Sequence, residues 1–432
     1  MSIEQENDAS AQQNWSGTYR YAAEQFIAPT EVAELPGIIR SAPRVHALGT
    51  RHSFNALADT AGTLVDLTGL PDEVSVDEVA GTARVTAWTR YGVAAQALEE
   101  AGFALHNMGS LPHIAVGGAT ATSTHGSGDR NGSLATAVRA LTFIDANGAE
   151  QTIRRGDDDF DALVVHVGAF AIVTHLELDI QPTYRVRQDI YSGLTWEAAL
   201  ADLHAITAAG HSVSIFTRWE GDDLGFVWVK TRLDDDTDAV VDVLLDGARD
   251  PGSTPLGSDD NVTELGGVPG PWLLRLPHFR LDREPSFGAE IQTEYFIDRR
   301  DAPQALRAVR ALAPLIRPHL VWTELRTIAA DDLWLSPAYG RDSMAIHFTW
   351  FDRPDEVAAV IPRIEEALRP FGARPHWGKV HAFDAERLAE VYPRLADARA
   401  VFERRDPDGR FVSDHLVALG VRETRAAEGP SA

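Results

Sequence analysis

The sequence predicts an α+β protein of two or three domains, and three observations predict this class. The chain has 432 residues, which is more than one ordinary domain needs. Up to about residue 180, short β-branched segments ended by turn residues accompany helical patterns. From 181 to 375, five strand patterns accompany two helical patterns, which is typical of an antiparallel sheet with helices on one side.

The first predicted domain covers residues 14–180 and follows a disordered lead at 1–13. A helix is predicted over 89–102, because Thr89 can cap it, alanine and leucine recur at helical spacing, and Gly102 can end it. Asn147-Gly148 lies between two strand patterns and predicts a hairpin with a type I′ turn. The other predicted elements are strands at 44–50, 63–69, 83–88 and 172–180 and a short helix at 159–168.

The second predicted domain covers residues 181–375, and a C-terminal segment follows it at 376–432. A Gly/Pro-rich stretch at 253–272 is a candidate lid over a site. The predicted strands are 212–219, 226–231, 290–297, 321–328 and 344–350, and the predicted helices are 301–317 and 355–371.

Composition excludes several classes of function. The formal net charge of −25 opposes binding to nucleic acid and to anionic membranes. The absence of cysteine excludes disulfides, zinc–thiolate sites and iron–sulfur clusters. The polar, acidic N-terminus lacks a signal-peptide pattern, and no run of about 18 apolar residues occurs. We therefore expect a cytoplasmic monomer. Lys230 and Lys379 are the only lysines, so each merits separate attention.

Two glycine-led segments predict a cofactor site in the first domain. The stretch 110–128, SLPHIAVGGATATSTHGSG, carries four glycines among small residues, which lets a ligand approach the backbone closely. A flexible linker is less consistent with its apolar residues. Gly49 opens a second such turn, GTRHSF. Neither segment matches the dinucleotide fingerprint or the P-loop. Together they favour one long cofactor that carries phosphate.

Polar faces on the strands of the second domain predict a hydrogen-bonding surface. His347 and Thr349 alternate with apolar residues and so share a face of their strand. Glu324 and Arg326 share a face in TELRT, as do Gln292 and Glu294 in EIQTEYF. For any one strand, simple exposure to water explains this pattern equally well. The combined set suits a polyhydroxylated substrate, and Lys379 in the apolar setting PHWGKV suits a buried ammonium group.

Metal binding and hydrolysis find little support in the sequence. None of the fifteen histidines forms H-x-x-x-H or H-E-x-x-H, and the pair His113 and His125 is weak evidence for a metal. No G-x-S-x-G elbow of a serine hydrolase occurs.

Longer motifs resemble those of a known family. NWSGTYRYAAEQFIAPT, LGTRHSFN, NMGSLPHIAVGGATATSTHGSG, VPGPWLLRLPHFR, WLSPAYGRDSMAIHFTW and RPHWGKV are similar to segments of the alditol oxidases, within the vanillyl-alcohol oxidase (p-cresol methylhydroxylase-type) flavoproteins. The resemblance covers residues 14 to about 418.

The resemblance implies a fold and a cofactor. The first domain would hold FAD between two α+β subdomains, an antiparallel sheet of the substrate domain would cover the flavin ring, and the C-terminal segment would return to the FAD domain. His52 matches the histidine that is bonded covalently to the flavin in these oxidases. Arg51 stands where several relatives have glycine. The implied FAD contacts are Gly49, Thr50, Arg51, His52, Ser53, Phe54, Ser110, Gly117, Gly118, Thr120, Thr124, Gly126, Gly128, Val173 and Lys379.

The resemblance also implies an activity and its residues. A polyol would bind with its terminal CH2OH against the flavin and be oxidised to an aldose, and dioxygen would be reduced to hydrogen peroxide. Gly109 would leave space for dioxygen. The implied catalytic residues are Glu324, Arg326, His347 and Lys379, and the implied substrate contacts are Ser110, Glu324, Arg326, Thr349 and Lys379.

Two alternatives remain open at the sequence level. An aldonolactone oxidase or dehydrogenase of the same family shares the E-x-R strand and H-W-G-K. A non-catalytic flavin- or carbohydrate-binding protein is the alternative from another class.

Overall fold

The computed structural model describes residues 12–233, 259–283 and 289–424. Most of the predicted lead at 1–13 and the first six residues of the candidate lid, 253–258, therefore lie outside the described residues.

The N-terminal region contains two main sheets. A small parallel sheet orders its strands as Gln25–Ile27, Thr63–Asp66, Val45–Leu48. An antiparallel sheet orders its strands as Val74–Asp77, Thr82–Thr86, Ile172–Asp179, Val138–Ile144, Glu150–Arg154. The predicted strands and the helix predicted over 89–102 are present with bounds within a few residues of the prediction, whereas the helix predicted over 159–168 covers only Phe160–Leu163. The first of these helices occupies Tyr91–Glu100 and buries the alanine and leucine face that the spacing predicted.

The hairpin between Val138–Ile144 and Glu150–Arg154 is present, but its turn is not type I′. That turn requires a positive φ at both central residues, and of the Asn147-Gly148 pair only Gly148 has one, at 75°. The Asp145 carboxylate accepts hydrogen bonds from the backbone N–H groups of Asn147 and Ala149. This contact holds Asn147 in ordinary right-handed geometry, so the glycine alone takes the left-handed position.

The second region is built on an eight-stranded sheet. Its strands run in the order Gly270–Pro271, Arg185–Ser192, Phe226–Arg232, Ser212–Thr217, Leu320–Ile328, Ser343–Phe351, Glu290–Asp298, Arg374–Pro375. Helices Ala302–Ala311 and Pro354–Leu368 pack against each other, and the first also packs on the strand Glu290–Asp298. The helix predicted over 301–317 is interrupted at Leu312, because Pro314 cannot donate the hydrogen bond that would continue it, and a short helix Ala313–Ile316 follows.

The candidate lid is attached to this sheet where the structure describes it. Gly270–Pro271 is the edge strand and pairs with Arg185–Ser192, and the Gly267 N–H donates to the Gln188 carbonyl at 3.0 Å. The end of the candidate lid is therefore part of the sheet.

The C-terminal segment lies against the N-terminal region. The Val45 N–H donates to the Arg410 carbonyl at 2.8 Å, and the Phe54 N–H donates to the Gly378 carbonyl at 2.7 Å. The remaining α-helices of the described chain are Leu35–Ser41, Val116–Ala121, Phe160–Leu163, Trp196–Ala201, Leu203–Thr207, Ala385–Val391, Leu395–Arg405 and Asp414–Ala418. Within the described ranges, no helix combines the length and the apolar character that crossing a membrane requires.

Candidate functional site

A cavity of about 1860 Å³, its opening to solvent included, lies between the N-terminal region and the eight-stranded sheet. One wall consists of the turn at 49–54, the loop and helix around 110–125 and neighbouring N-terminal residues. The opposite wall is the face of three strands, Glu290–Asp298, Leu320–Ile328 and Ser343–Phe351, which we call the wall strands.

The turn at 49–54 lines the first wall along its whole length. Arg51 is in the left-handed region, with φ of 63°, and its guanidinium forms an ion pair with Asp66. The Thr50 hydroxyl accepts a hydrogen bond from the Ala115 N–H at 3.0 Å. This bond joins the two glycine-led segments, which the sequence analysis predicted to serve one ligand.

His52 lies on this wall with one ring nitrogen unsatisfied. Its Nδ1 atom is buried and has no hydrogen-bond partner among the described residues. Burial, together with the nearby His113 and Arg90, lowers the pKa of His52 to about 3, so the imidazole is neutral at pH 7. The Trp15 ring lies against it, with 4.8 Å between ring centroids. A neutral, oriented imidazole with a bare nitrogen is suited to bond a ligand in the cavity.

The loop at 110–128 contributes a second part of this wall. Its predicted residues Ser110, Gly117, Gly118 and Thr124 all line the cavity, as does Val173. A Cβ at Gly118 would meet no atom within 4 Å, so this glycine presents open backbone to the cavity.

Four predicted residues do not reach the cavity. The Thr120 hydroxyl donates to the Val116 carbonyl inside its own helix. A Cβ at Gly126 or Gly128 would lie 2.3 Å from a backbone oxygen, so close chain packing explains these glycines. The missing Cβ of Gly109 points at Ile114 and at the backbone of the cavity wall, so the space expected there for dioxygen is not part of the cavity.

The wall strands place the polar side chains in rows across the sheet. Antiparallel register sets Glu324 beside His347 and His347 beside Glu294, so all three face the cavity in one row. The next row toward the strand ends holds Trp322, Thr349 and Gln292 and is uncharged. All of these side chains line the cavity.

Glu294 is the centre of a buried network of charged side chains, which also includes Arg326, Lys379 and Glu324. The Glu294 carboxylate lies 2.6 Å from the Arg326 guanidinium, 2.7 Å from the Lys379 ammonium and 3.2 Å from Nε2 of His125. Burial alone would raise the pKa of Glu294, but the two cations outweigh burial and hold that pKa well below its usual value. The side chain is 1% exposed, so a permanently charged carboxylate is fixed in the protein interior.

Glu324 is the second buried carboxylate. It lies 2.9 Å from Nε2 of His278 and 3.6 Å from Nε of Arg326. Burial opposes ionisation, but Arg326 and His278 together lower the pKa of Glu324 below its usual range. Arg326 thus lies between two carboxylates, and it also donates to the Ser110 hydroxyl at 3.4 Å across the cavity.

His347 and Lys379 form a hydrogen-bonded pair. The ammonium lies 2.6 Å from Nδ1 of His347, and Nε2 of the ring lies 3.1 Å from the Thr349 hydroxyl. Because an ammonium only donates, Nδ1 accepts and Nε2 carries the proton. Burial, then the Lys379 charge, lowers the pKa of His347 to about 4, so the ring is neutral.

The backbone that carries Lys379 is tied to the first wall. The Asn55 side chain donates to the Lys379 carbonyl at 2.8 Å and to the Trp377 carbonyl at 2.9 Å. The Lys379 side chain is 12% exposed, which agrees with the buried ammonium that the apolar sequence around Lys379 predicted.

Several cavity residues were not assigned from the sequence. Two-residue alternation predicted that Glu294 and Gln292 share a face of their strand. The pattern of a single strand does not indicate which side chains of other elements surround them. The same alternation extends to Glu290. His278 had no local signal, because it reaches Glu324 from a segment 46 residues away. The other unassigned lining residues include His125, Phe216, Phe279, Trp322 and His376.

Within the described ranges, no group of histidine and acidic residues is arranged to hold a metal ion. The charged groups Glu294, Glu324, Arg326 and Lys379 are instead paired with one another.

Comparisons with known proteins agree with this arrangement. A family model described as an FAD binding domain matches residues 23–154, and one described as D-arabinono-1,4-lactone oxidase matches residues 279–419. The chain is 42% identical to an alditol oxidase of Streptomyces sp. over 94% of this chain and 98% of that one. It is 28% identical to an L-gulono-1,4-lactone dehydrogenase of Mycobacterium tuberculosis over 93% of this chain and 97% of that one.

The fold has relatives among solved structures. A solvent-stable cholesterol oxidase superposes with a TM-score of 0.77 over 96% of this chain and 100% of that one, at 16% identity. A cholesterol oxidase from B. sterolicum superposes with a TM-score of 0.74 over 94% and 96% of the two chains, at 14% identity. These similarities establish the architecture and leave the substrate open.

Proposed function

This chain belongs to the vanillyl-alcohol oxidase (p-cresol methylhydroxylase-type) family of FAD flavoproteins, and on that premise we propose that it is an alditol oxidase. The proposed reaction converts the terminal CH2OH of a sugar alcohol such as xylitol or sorbitol to an aldehyde and reduces dioxygen to hydrogen peroxide. The observation that carries the proposal is the buried network of Glu324, Arg326, Glu294 and Lys379, which lines the same cavity as His52.

The N-terminal wall fits FAD on three observations. The cavity lining includes residues of both glycine-led segments, which suits one long cofactor. Gly118 presents open backbone to it, and Nδ1 of His52 is a buried atom with no partner among the described residues. When bound, FAD supplies the two-electron acceptor that alcohol oxidation needs. His52 would hold the flavin covalently, and the residues of the turn at 49–54 would lie along the cofactor.

The wall strands supply the groups that bind a polyol. The Glu324 carboxylate has its charge fixed by Arg326 and can accept a substrate hydroxyl. Arg326 and Lys379 stabilise negative charge that develops on the reacting oxygen. Ser110 and Thr349 offer hydroxyls to the neighbouring substrate hydroxyls, and the uncharged row continues the hydrogen-bonding surface along the chain of the polyol.

His347 has an orienting role in this scheme. Both of its ring nitrogens are engaged, one with Lys379 and one with Thr349. Action as a general base would require the ring to give up its contact with the Lys379 ammonium. We therefore assign to His347 the placement of the Lys379 ammonium and the Thr349 hydroxyl.

A second candidate is oxidation of an aldonolactone. It is favoured by the match of residues 279–419 to the D-arabinono-1,4-lactone oxidase model and by the 28% identical lactone dehydrogenase. The 42% identity to an alditol oxidase over nearly the whole of both chains supports the polyol instead.

Oxygen consumption tests the two substrates directly. The purified, FAD-containing protein is expected to consume dioxygen and to form peroxide in a 1:1 ratio with xylitol or sorbitol, and much more slowly with L-gulono-1,4-lactone. Faster turnover of the lactone would replace the proposal with the second candidate. No turnover with either, and no loss of yellow colour on anaerobic mixing, would indicate a binding protein without catalysis.

The covalent bond is tested by mass. Denatured wild-type protein is expected to carry the additional mass of one flavin, whereas His52→Ala should release its yellow cofactor on acid precipitation. His113→Ala is the matched control, because His113 lies near His52 but outside the cavity lining. Release of FAD from the denatured wild type would exclude the bond.

A further inference from the structure

Lys230 is a buried lysine that the proposed reaction does not use. It lies on the strand Phe226–Arg232, in the same sheet as the wall strands, and is 1% exposed. Its ammonium donates to the Leu276 carbonyl and lies 3.1 Å from Nδ1 of His278. The residues directly opposite it on the two adjacent strands, Gln188 and Ser212, are uncharged.

His278 connects Lys230 to the cavity. Because the Lys230 ammonium donates to Nδ1, the Nε2 atom carries the proton and donates to Glu324 at 2.9 Å. The ring is held edge-on by Phe216 and Trp228, at centroid distances of 5.4 and 4.8 Å. Burial, then the Lys230 charge, lowers the pKa of His278 to about 4, so the ring is a neutral connector at pH 7.

Without Lys230, the positive and negative charges of the network around Glu294 and Glu324 are equal in number. Glu294 and Glu324 carry two negative charges, and Arg326 and Lys379 carry two positive ones. The histidines that contact these groups are neutral at pH 7, since burial lowers the pKa of each. A protonated Lys230 is therefore a third cation beside two carboxylates, and the network then has a net charge of one positive unit.

We infer that Lys230 is a positioning residue of the proposed alditol oxidase, which acts on the substrate site through His278 and Glu324. In its charged state it holds Glu324 by way of the imidazole and leaves the network one unit positive. That excess favours the negative charge that develops on the substrate oxygen. The inference rests on the proposed function, and its test separates the two.

The charge of Lys230 changes near neutral pH. Burial lowers its pKa to about 7, with Glu324 opposing this change and Arg326 adding to it. The amine therefore loses its proton in a range near neutral pH. Burial also raises the pKa of Glu290 on the cavity wall to about 7 and lowers the pKa of Lys379, so the part of the pH profile that belongs to Lys230 is the part that its variants remove. We expect kcat/KM for xylitol to fall about tenfold as pH rises through this range, which corresponds to one pKa unit of coupling.

Two variants and one control test the effect on the reaction. Lys230→Met should give a low kcat/KM that lacks the tenfold fall near pH 7. Lys230→Arg should keep the high value to alkaline pH, because its guanidinium does not lose its proton. Ser212→Ala alters the uncharged residue opposite Lys230 and should keep the wild-type profile. A wild-type pH limb that persists in both Lys230 variants would overturn the inference.

Stability as a function of pH tests the titration without any substrate. The unfolded chain keeps its lysine protonated up to about pH 10.5, whereas the folded protein releases the proton near pH 7. The unfolded state thus binds more protons between these values, and wild type should gain unfolding free energy relative to Lys230→Met as pH rises from 7 to 9. A constant difference would overturn the inference even in a protein that oxidises no polyol. A rising difference together with no polyol turnover would instead contradict the proposed function alone.

Discussion

The two walls of the cavity use opposite means of recognition. The N-terminal wall presents turns, glycine backbone and the uncharged ring of His52, with Arg51 paired to Asp66. The opposite wall presents buried side chains whose charges are fixed by one another, with Glu294 and Arg326 at the centre. A wall of open backbone is suited to a long cofactor, and a fixed network of charges is suited to the changing charge of a reacting alcohol. Substitutions on the two walls should therefore have different effects.

The largest effect is expected at Arg326 on the charged wall. Arg326→Met leaves two buried carboxylates without their shared cation, so we expect a loss of stability of about 3–5 kcal/mol and of kcat by about a thousandfold. Thermal unfolding and oxygen consumption measure the two effects. Arg326→Lys keeps the charge and should lose less of both. An Arg326→Met protein with wild-type turnover would show that the charged network does not serve the reaction.

Lys379 separates the function of the two walls. Lys379→Met should lower kcat by about a hundredfold, because a charge near the reacting oxygen is removed, while the visible absorbance of bound flavin is kept. The N-terminal wall, which holds the cofactor in this account, is unchanged in the variant. Unchanged turnover, or loss of the flavin along with the activity, would contradict this division.

Glu290 lies at the outer end of the charged wall, and no cation of the described residues forms an ion pair with its carboxylate. It is 5% exposed and accepts a hydrogen bond from Gln292 at 2.6 Å. Burial raises its pKa from 4.5 to about 7, so the folded protein holds this proton more tightly than the unfolded chain. Wild type therefore loses stability as pH rises from about 4.5 to 7, by up to about 3 kcal/mol.

Glu290→Gln should remove that dependence. The variant is expected to match wild type near pH 4.5 and to exceed its unfolding free energy at pH 8, as measured by urea titration. Glu366→Gln, at an exposed glutamate, is the control and should show no such change with pH. Equal stability of Glu290→Gln and wild type at pH 8 would show that Glu290 is ionised in the fold.

The sequence predicted more of the charged wall than of the wall opposite it. Two-residue alternation correctly indicated that Glu324 and Arg326, and His347 and Thr349, share the cavity face, because a strand has a fixed period. The spacing of glycines in a loop does not indicate in this way which of them face a cavity. Gly118 faces the cavity, whereas Gly126 is required by close packing, and the same local pattern describes both. The partners Lys230, His278 and Glu324 depend on strand order and loop position, which no local pattern encodes.

The smallest effect is expected at Arg51 on the N-terminal wall. Arg51→Gly relieves a left-handed conformation worth roughly 1–2 kcal/mol and loses a partly exposed ion pair worth up to about 1 kcal/mol. The two nearly cancel, so the urea midpoint should change little. Arg51→Val, β-branched at the same φ, is the matched variant and should be clearly destabilised. A large loss in Arg51→Gly would mean that the pair with Asp66 determines the turn.

Anaerobic mixing of the flavin-containing protein with xylitol tests the central claim most directly, since it observes cofactor and substrate in one cavity without dioxygen. Wild type is expected to lose its yellow colour on mixing, and Arg326→Met is expected to keep it. A wild-type protein that stays yellow with every sugar alcohol, or an Arg326→Met variant that bleaches at the wild-type rate, would contradict the account.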